Sequence, residues 1–166
     1  MKFLFIVQGE GRGHFTQAIT LEDMLLRNGH QVVEVLVGKS SSRTLPGFFN
    51  RSIQAPVKRF TSPNFLPTAE NKRADLKKSF AYNLIHVPEY FRSMCYINQR
   101  IKETGAEVVI NFYELLTGLT YALFRPSVPY VCVGHQYLFL HQIFEFAVKN
   151  CFDLRMLRLF AKMTAV

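Results

Sequence analysis

Hydrophobic positions in this chain follow two rhythms that alternate along its length. Short unbroken apolar runs bounded by glycine, proline or polar turns read as strands buried on both faces. Apolar residues returning every third or fourth position read as amphipathic helices. KFLFIVQ (residues 2–8) is the first run, and FTQAITLEDMLLRNG is a helix closed by Gly29. HQVVEVLVG is a second strand, followed by a polar, serine-rich turn. APVKRFTSP is a short third strand between Pro56 and Pro63, with a long Pro- and Asn-containing loop behind it. From Ala74 to Glu103, Phe80, Leu84, Val87, Phe91, Met94 and Ile101 recur at helical spacing and are expected to pack on the sheet, with Pro88 kinking or dividing the helix. AEVVINF is a strand, ELLTGLTYALF a helix, VPYVCVG a strand, and YLFLHQIFEFAVK with FDLRMLRLFAKM a helical tail.

Strands alternating with helices through right-handed crossovers predict an α/β, Rossmann-like doubly wound parallel sheet. In such a sheet ligands bind beyond the carboxyl ends of the strands, where strand order reverses. Three loops therefore carry the candidate chemistry: Gly9 to His14, Tyr113 with Glu114, and His135 with Gln136. No internal repeat or low-complexity segment interrupts the pattern. It ends within a helix, which predicts that the natural protein continues past Val166.

Composition narrows the class. With 166 residues, 49% hydrophobic and 19% charged, the chain suits one folded domain of ordinary size. No stretch approaches the roughly 20 apolar residues a membrane span needs. The first apolar run meets a glycine loop instead of a cleavage site, so it is read as a strand and not a signal peptide. Cys95, Cys132 and Cys151 are odd in number and widely spaced in apolar sequence. They read as buried thiols of a cytoplasmic protein, and the sequon at Asn50 as chance. The net charge of +8 favours an anionic partner, but no nucleic-acid module accompanies the basic groups, and solvated surface is the plainer reading.

The first loop, GEGRGH, does not fit a P-loop, because Gly13 is followed by His14 and Phe15 where Lys and Ser or Thr are required. GxGxxG fits at Gly9 and Gly11, yet its third glycine falls at His14. Strand two also ends in Val37, Gly38 and Lys39 without the acidic residue a dinucleotide site uses. What remains is a set of backbone N–H groups at a helix start, suited to a phosphate, with Arg12 as a charged donor. His14 lies in the first turn, where an imidazole can take a proton from an alcohol. The alternative is a tight strand-to-helix turn capped by His14. His30, His86 and His141 show no metal-ligand spacing and no cysteine partner, so no metal is expected.

GEGRGHFTQAITLEDMLLRNGHQV resembles the amino-terminal motif of GT-B glycosyltransferases of the family 28-like group. That group includes the enzyme adding N-acetylglucosamine to lipid I and the plant galactolipid synthases. AEVVINFYELLTGL is similar to the family's xDVVIxD strand end, and VPYVCVGHQY to its IPxVxxxxQ segment. The resemblance covers the whole chain in order, and its first motif is the specific one. It implies that residues 1–166 are the amino-terminal, acceptor-side half of a GT-B architecture. A carboxy-terminal domain absent from this chain would then hold most of the nucleotide-sugar donor, and this half alone would be inactive.

The resemblance further implies that Gly11, Arg12 and Gly13 approach a diphosphate and that His14 activates the acceptor hydroxyl, with inversion at the anomeric carbon. Glu114 is the candidate carboxylate to orient His14, or else the cap of the following helix. Asn111 stands where the family places an acid. His135 and Gln136 are candidates to bind an acceptor sugar or lipid phosphate, or are structural. No cofactor is implied beyond the nucleotide sugar as substrate, and the class uses no DxD metal motif. A glycan or lipid-linked acceptor is the expected partner. Arg155, Arg158 and Lys162 on one face of the last helix suit packing against the missing half or peripheral contact at the inner face of the membrane. The rival readings are a nucleotide-sugar 2-epimerase of the same architecture, a non-catalytic glycan- or phospholipid-binding module, and a Rossmann oxidoreductase.

Overall fold

β1 (Lys2–Gln8) is the strand on which the sheet is built, with apolar side chains on both faces. Phe3, Phe5 and Val7 enter one core layer and Leu4 and Ile6 the other. Around it, β2 (Gln31–Lys39), β3 (Val57–Thr61), β4 (Val108–Phe112) and β5 (Tyr130–Cys132) complete an all-parallel sheet in the order β3-β2-β1-β4-β5. This is a Rossmann-like doubly wound fold. The computed structural model describes residues 1–9, 11–39, 44–63, 76–141 and 151–164. The long loop read after the third strand (residues 64–75) and most of the first tail helix (residues 142–150) lie outside the described residues.

α1 (Arg12–Arg27) and α2 (Gly47–Ser52) cover the odd-numbered face of β1 through Phe15, Ala18 and Phe49. After α3 (Leu76–Ile85), α4 (Val87–Glu103) covers the other face together with α5 (Leu115–Phe124), through Tyr90, Ile97, Ile101 and Leu116. α6 (Cys151–Thr164) packs on α5 and on a 3-10 segment, His135–Leu140. No helix among the described residues is long and apolar enough to cross a membrane.

The structure departs from the periodicity in three places. Pro88 divides the long helix, as expected, but the break at His86 resets its phase. Leu84 and Phe91 are 61% and 51% exposed, and the face α4 buries is Tyr90, Ser93, Ile97 and Ile101. Of the described members of the expected stripe, Ile101 is buried in it and Met94 packs against it partly buried. α2 forms where a turn was read, its apolar pattern too short to register as a helix. Cys95 is an exposed free thiol on α4, correcting the reading of buried cysteines, and Cys132 is half-buried and free.

Two buried carboxylates lock helices to the sheet. β2 carries an irregularity, with Phe3 opposite Val32 and Leu4 opposite Glu34, so that Val33 is the extra residue. Glu34 meets Arg100 of α4 through two bonds, Nε to Oε1 at 2.8 Å and Nη2 to Oε2 at 3.0 Å. Lys58 of β3 sits at 2.8 Å from the same carboxylate. Glu22, 2% exposed on α1, accepts the backbone N–H groups of Gln54 at 2.9 Å and Ala55 at 2.8 Å. It thereby satisfies the chain where it leaves α2 for β3. Glu22→Ala leaves two N–H donors without an acceptor and is expected to lower the unfolding free energy by about 3 kcal/mol in urea titrations. Glu22→Gln keeps one acceptor oxygen and should lose about half as much.

Candidate functional site

Strand order reverses between β1 and β4, so the crevice beyond their carboxyl ends is where this fold places a ligand. At the end of β1 the chain passes very close to β2, and the Gly9 N–H donates to the Gly38 carbonyl at 2.6 Å. A Cβ on Gly9 would stand 2.5 Å from that oxygen and 3.0 Å from the Lys39 Cβ, so only glycine fits. Gly11, in extended conformation, is the N-cap of α1 and makes no side-chain cap bond. Arg12, Gly13 and His14 are therefore the first three helical residues, and their N–H groups have no intrahelical acceptor. No acidic residue lies in this first turn, so the dipole's positive end is left for an anion. Arg12 and Gly13 are exposed, and a Cβ on Gly13 would meet nothing within 4 Å. The glycines thus divide by role. Gly9 is required by packing, whereas Gly13 keeps open space in front of the helix.

His14 is 5% exposed. Its Nδ1 lies 3.3 Å from the Gln17 Oε1 one turn along α1, and its ring stacks on Tyr113 with centroids 5.9 Å apart and planes 18° from parallel. Tyr113, directly after β4, has a left-handed backbone with φ 61°, strained for a residue with a Cβ and typical of sites the surrounding structure holds in place. Its ring also meets Tyr137 edge-on at 5.5 Å and Phe160 of α6 at 5.4 Å. Burial pushes the Tyr113 phenol up to about 12 and also raises those of Tyr130 and Tyr137. One aromatic residue thus ties the glycine-loop helix, the 3-10 segment and α6 together at the switch point.

The remaining sequence-predicted residues fall around the same strand ends. Glu114 is the N-cap of α5, its side chain accepting from the Leu116 N–H at 3.2 Å and from the Ser62 hydroxyl at 2.6 Å. Asn111 supports that turn, its Oδ1 accepting from the Glu114 N–H at 2.9 Å and its Nδ2 donating to the Glu114 carbonyl at 3.1 Å. Gly38 is again bare for a reason, since a Cβ there would overlap the Glu114 carboxylate and approach the Phe60 ring at 2.8 Å. Gln136 is half-buried beside Gly134 and Tyr113. Its buried Oε1 has no hydrogen-bond partner among the described residues, a position that gains from a ligand donor. His135 opens the 3-10 segment next to it, and its side chain lies outside the described residues, as does Glu10 of the first loop.

α6 closes the far side of the site. The Thr164 carbonyl accepts from the hydroxyls of Tyr130 and, at 3.3 Å, Tyr137, and from the Cys132 thiol at 3.1 Å. Gly118 of α5 lies directly beneath this turn and has no room for a side chain. Arg155, Arg158 and Lys162 are exposed. Sequence reasoning placed Tyr113 in a candidate loop without giving it a role, and did not single out Gln17, Ser62 or Thr164, which also lie here. Gln17 alone had a signal, its spacing of three from His14 on one helix.

No family model matches the chain, and no curated protein matches its sequence. Among solved structures it is similar to a glycotransferase of kitacinnamycin, with 15% identity and a TM-score of 0.48 over 79% of this chain and 29% of that one. It is also similar to CalG4, the calicheamicin glycosyltransferase, with 13% identity and a TM-score of 0.47 over 99% of this chain and 43% of that one. The chain spans less than half the length of either structure.

Gly9→Ala is expected to lower stability by about 1–3 kcal/mol through overpacking. Gly13→Ala, by contrast, should stay within about 1 kcal/mol of the parent by thermal unfolding. At alkaline pH the sign is set by the buried phenol. A folded pKa above the ordinary 10.0 leaves the Tyr113 contribution intact below pH 10 and removes it as pH rises toward about 12. Tyr113→Phe should flatten that part of the stability profile in urea titrations read at successive pH values.

Proposed function

We propose that this chain is the acceptor-side, amino-terminal domain of a GT-B glycosyltransferase, one that moves a sugar from a nucleotide sugar to the hydroxyl of a glycan or lipid-linked acceptor. The observation that carries the reading is His14. It lies in the first turn of the glycine-loop helix at the switch point of the sheet, its ring held from one face by Tyr113 and at Nδ1 by Gln17.

A transfer needs three things of this half. A base must take the acceptor O–H proton as the oxygen bonds to the anomeric carbon and the bond to the diphosphate breaks; His14 has the chemistry and the restraint for it. Positive partial charge must face the diphosphate as it departs with the electron pair, and the N–H groups of Gly11, Arg12 and Gly13, which have no acceptor within the helix, and the Arg12 guanidinium supply it. The acceptor must be oriented, and Gln136 offers a buried carbonyl oxygen, without a partner among the described residues, for one of its hydroxyls, with His135 beside it. Glu114 serves this machinery by holding the ends of β3, β4 and α5 in place. The donor's base and sugar would be bound by a second domain, and the exposed basic face of α6 suits an anionic membrane surface carrying the acceptor.

A second reading is favoured by one observation. With His14 only 5% exposed, its ring can be a packing element of a domain that binds a phosphorylated glycan or lipid without reacting. The two readings separate in one assay. Nucleotide sugars are screened for acceptor-dependent nucleotide release by the protein containing both domains, with His14→Ala in parallel. Transferase chemistry predicts release that falls by about 10²–10⁴-fold in the variant, and no release from the 166-residue chain alone. Binding of a donor or acceptor without release, unchanged in His14→Ala, selects the binding module.

A further inference from the structure

The surface carries an apolar corner that neither the core nor the crevice uses. Leu84 and Ile85 close α3 at 61% and 76% exposure, Val87 opens α4 at 52%, and Phe91 follows one turn later at 51%. The Phe91 ring meets that of Phe124 at the end of α5, with 6.3 Å between centroids. Single exposed apolar side chains are ordinary, but a run of them over residues 84–91, continued onto a second helix, marks a contact surface. The corner is braced from behind. The His86 ring stacks on Tyr82 at 4.2 Å and on Tyr90 at 6.4 Å, and its Nδ1 donates to the Tyr82 carbonyl at 2.7 Å. The Tyr90 hydroxyl donates to Asn83 Oδ1, also at 2.7 Å. The exposure is therefore built into the fold and does not come from a frayed end.

Charge and position identify what covers it. Arg92 and Arg125 adjoin the two phenylalanines, are exposed, and pair with no acid among the described residues. Glu89 is the one acid in these stretches, and it lies in the first turn of α4, where the helix dipole holds it. Apolar side chains flanked by cations suit the boundary of an anionic bilayer, where the apolar groups enter the acyl region and the guanidinium groups stay with the phosphates. The net charge of +8 draws the chain toward such a surface. The Ser93 hydroxyl donates to the Thr61 carbonyl at the end of β3, at 2.8 Å, so the first turn of α4 stands at the carboxyl edge of the sheet, the edge that carries the crevice. We propose that the corner formed by Leu84, Ile85, Val87 and Phe91 inserts into an anionic membrane surface, with Arg92 and Arg125 on its phosphates. This surface is separate from the basic face of α6, and the inference uses none of the transferase chemistry.

The sequence contains no tryptophan, so Ile85→Trp places a single fluorophore at the corner. With vesicles of phosphatidylcholine and about one-third phosphatidylglycerol, its emission should shift to the blue, and the parent chain should sediment with the vesicles. Leu84→Ser combined with Ile85→Ser should lower the partition coefficient by about 10-fold or more. The thermal unfolding profile should be retained, because both side chains are already exposed. Arg92→Gln and Arg125→Gln should each lower binding by about 5-fold at low salt. No sedimentation of the parent, or an unshifted emission, overturns the proposal. Binding that survives the serine pair and is lost when Arg155, Arg158 and Lys162 are changed to Gln also overturns it, in favour of α6. A parent that ignores vesicles but forms a dimer abolished by the serine pair makes the corner a protein contact instead. Vesicle binding by the corner without acceptor-dependent turnover in the two-domain protein upholds the membrane contact while the transferase reading fails.

Discussion

The close approach of two parallel strands governs the rest of this structure. Where β1 and β2 end, Gly9 and Gly38 bring their backbones to a 2.6 Å hydrogen bond with no room for a side chain at either position. The bare Gly9 lets β1 come this close to β2 just before α1, which starts at Arg12 with no side-chain cap and no acidic residue in its first turn. The bare Gly38 opens the space in which the Glu114 carboxylate lies, bonded to Ser62 across the end of β3. A side chain at either place would displace the helix start or the α5 cap, and both walls of the site with them.

Tyr113 is the second constraint, and it works through strain. A left-handed tyrosine is unfavourable on its own. It persists here because its ring is packed against His14, Tyr137 and Phe160 and because Asn111 and Glu114 fix the turn that follows. These contacts link elements far apart in the chain at the crevice a parallel sheet leaves open. The helices on both faces keep that sheet dry, and Glu34 with Arg100 and Lys58 anchors α4 against it.

Much of the fold was legible because a sheet covered on both faces demands strands that are apolar throughout. KFLFIVQ and AEVVINF could hardly be anything else. The long helix was legible in extent but not in phase, since a break at His86 rotates everything after it and exchanges Phe91 for Tyr90 at the core. At the site, the glycine loop and His14 were legible from residue type and order. What surrounds the imidazole was not. Tyr113 follows a strand like many tyrosines, and no local pattern announces a positive φ without glycine. Glu22 and Glu34 read as polar interruptions in helix and strand, yet each holds distant backbone or a distant cation.

The sequence by itself determined the alternation of strand and helix, the parallel sheet and the loops at its carboxyl edge, because burial and backbone hydrogen bonding dictate periodicity within each element. Only the tertiary structure decided which glycine is packing and which is open space, which residue faces the Nδ1 of His14, and where the Glu114 carboxylate points. Those are distances between side chains or backbones brought together from separate strands and helices. They are fixed by how whole layers fit against one another, which no single segment encodes.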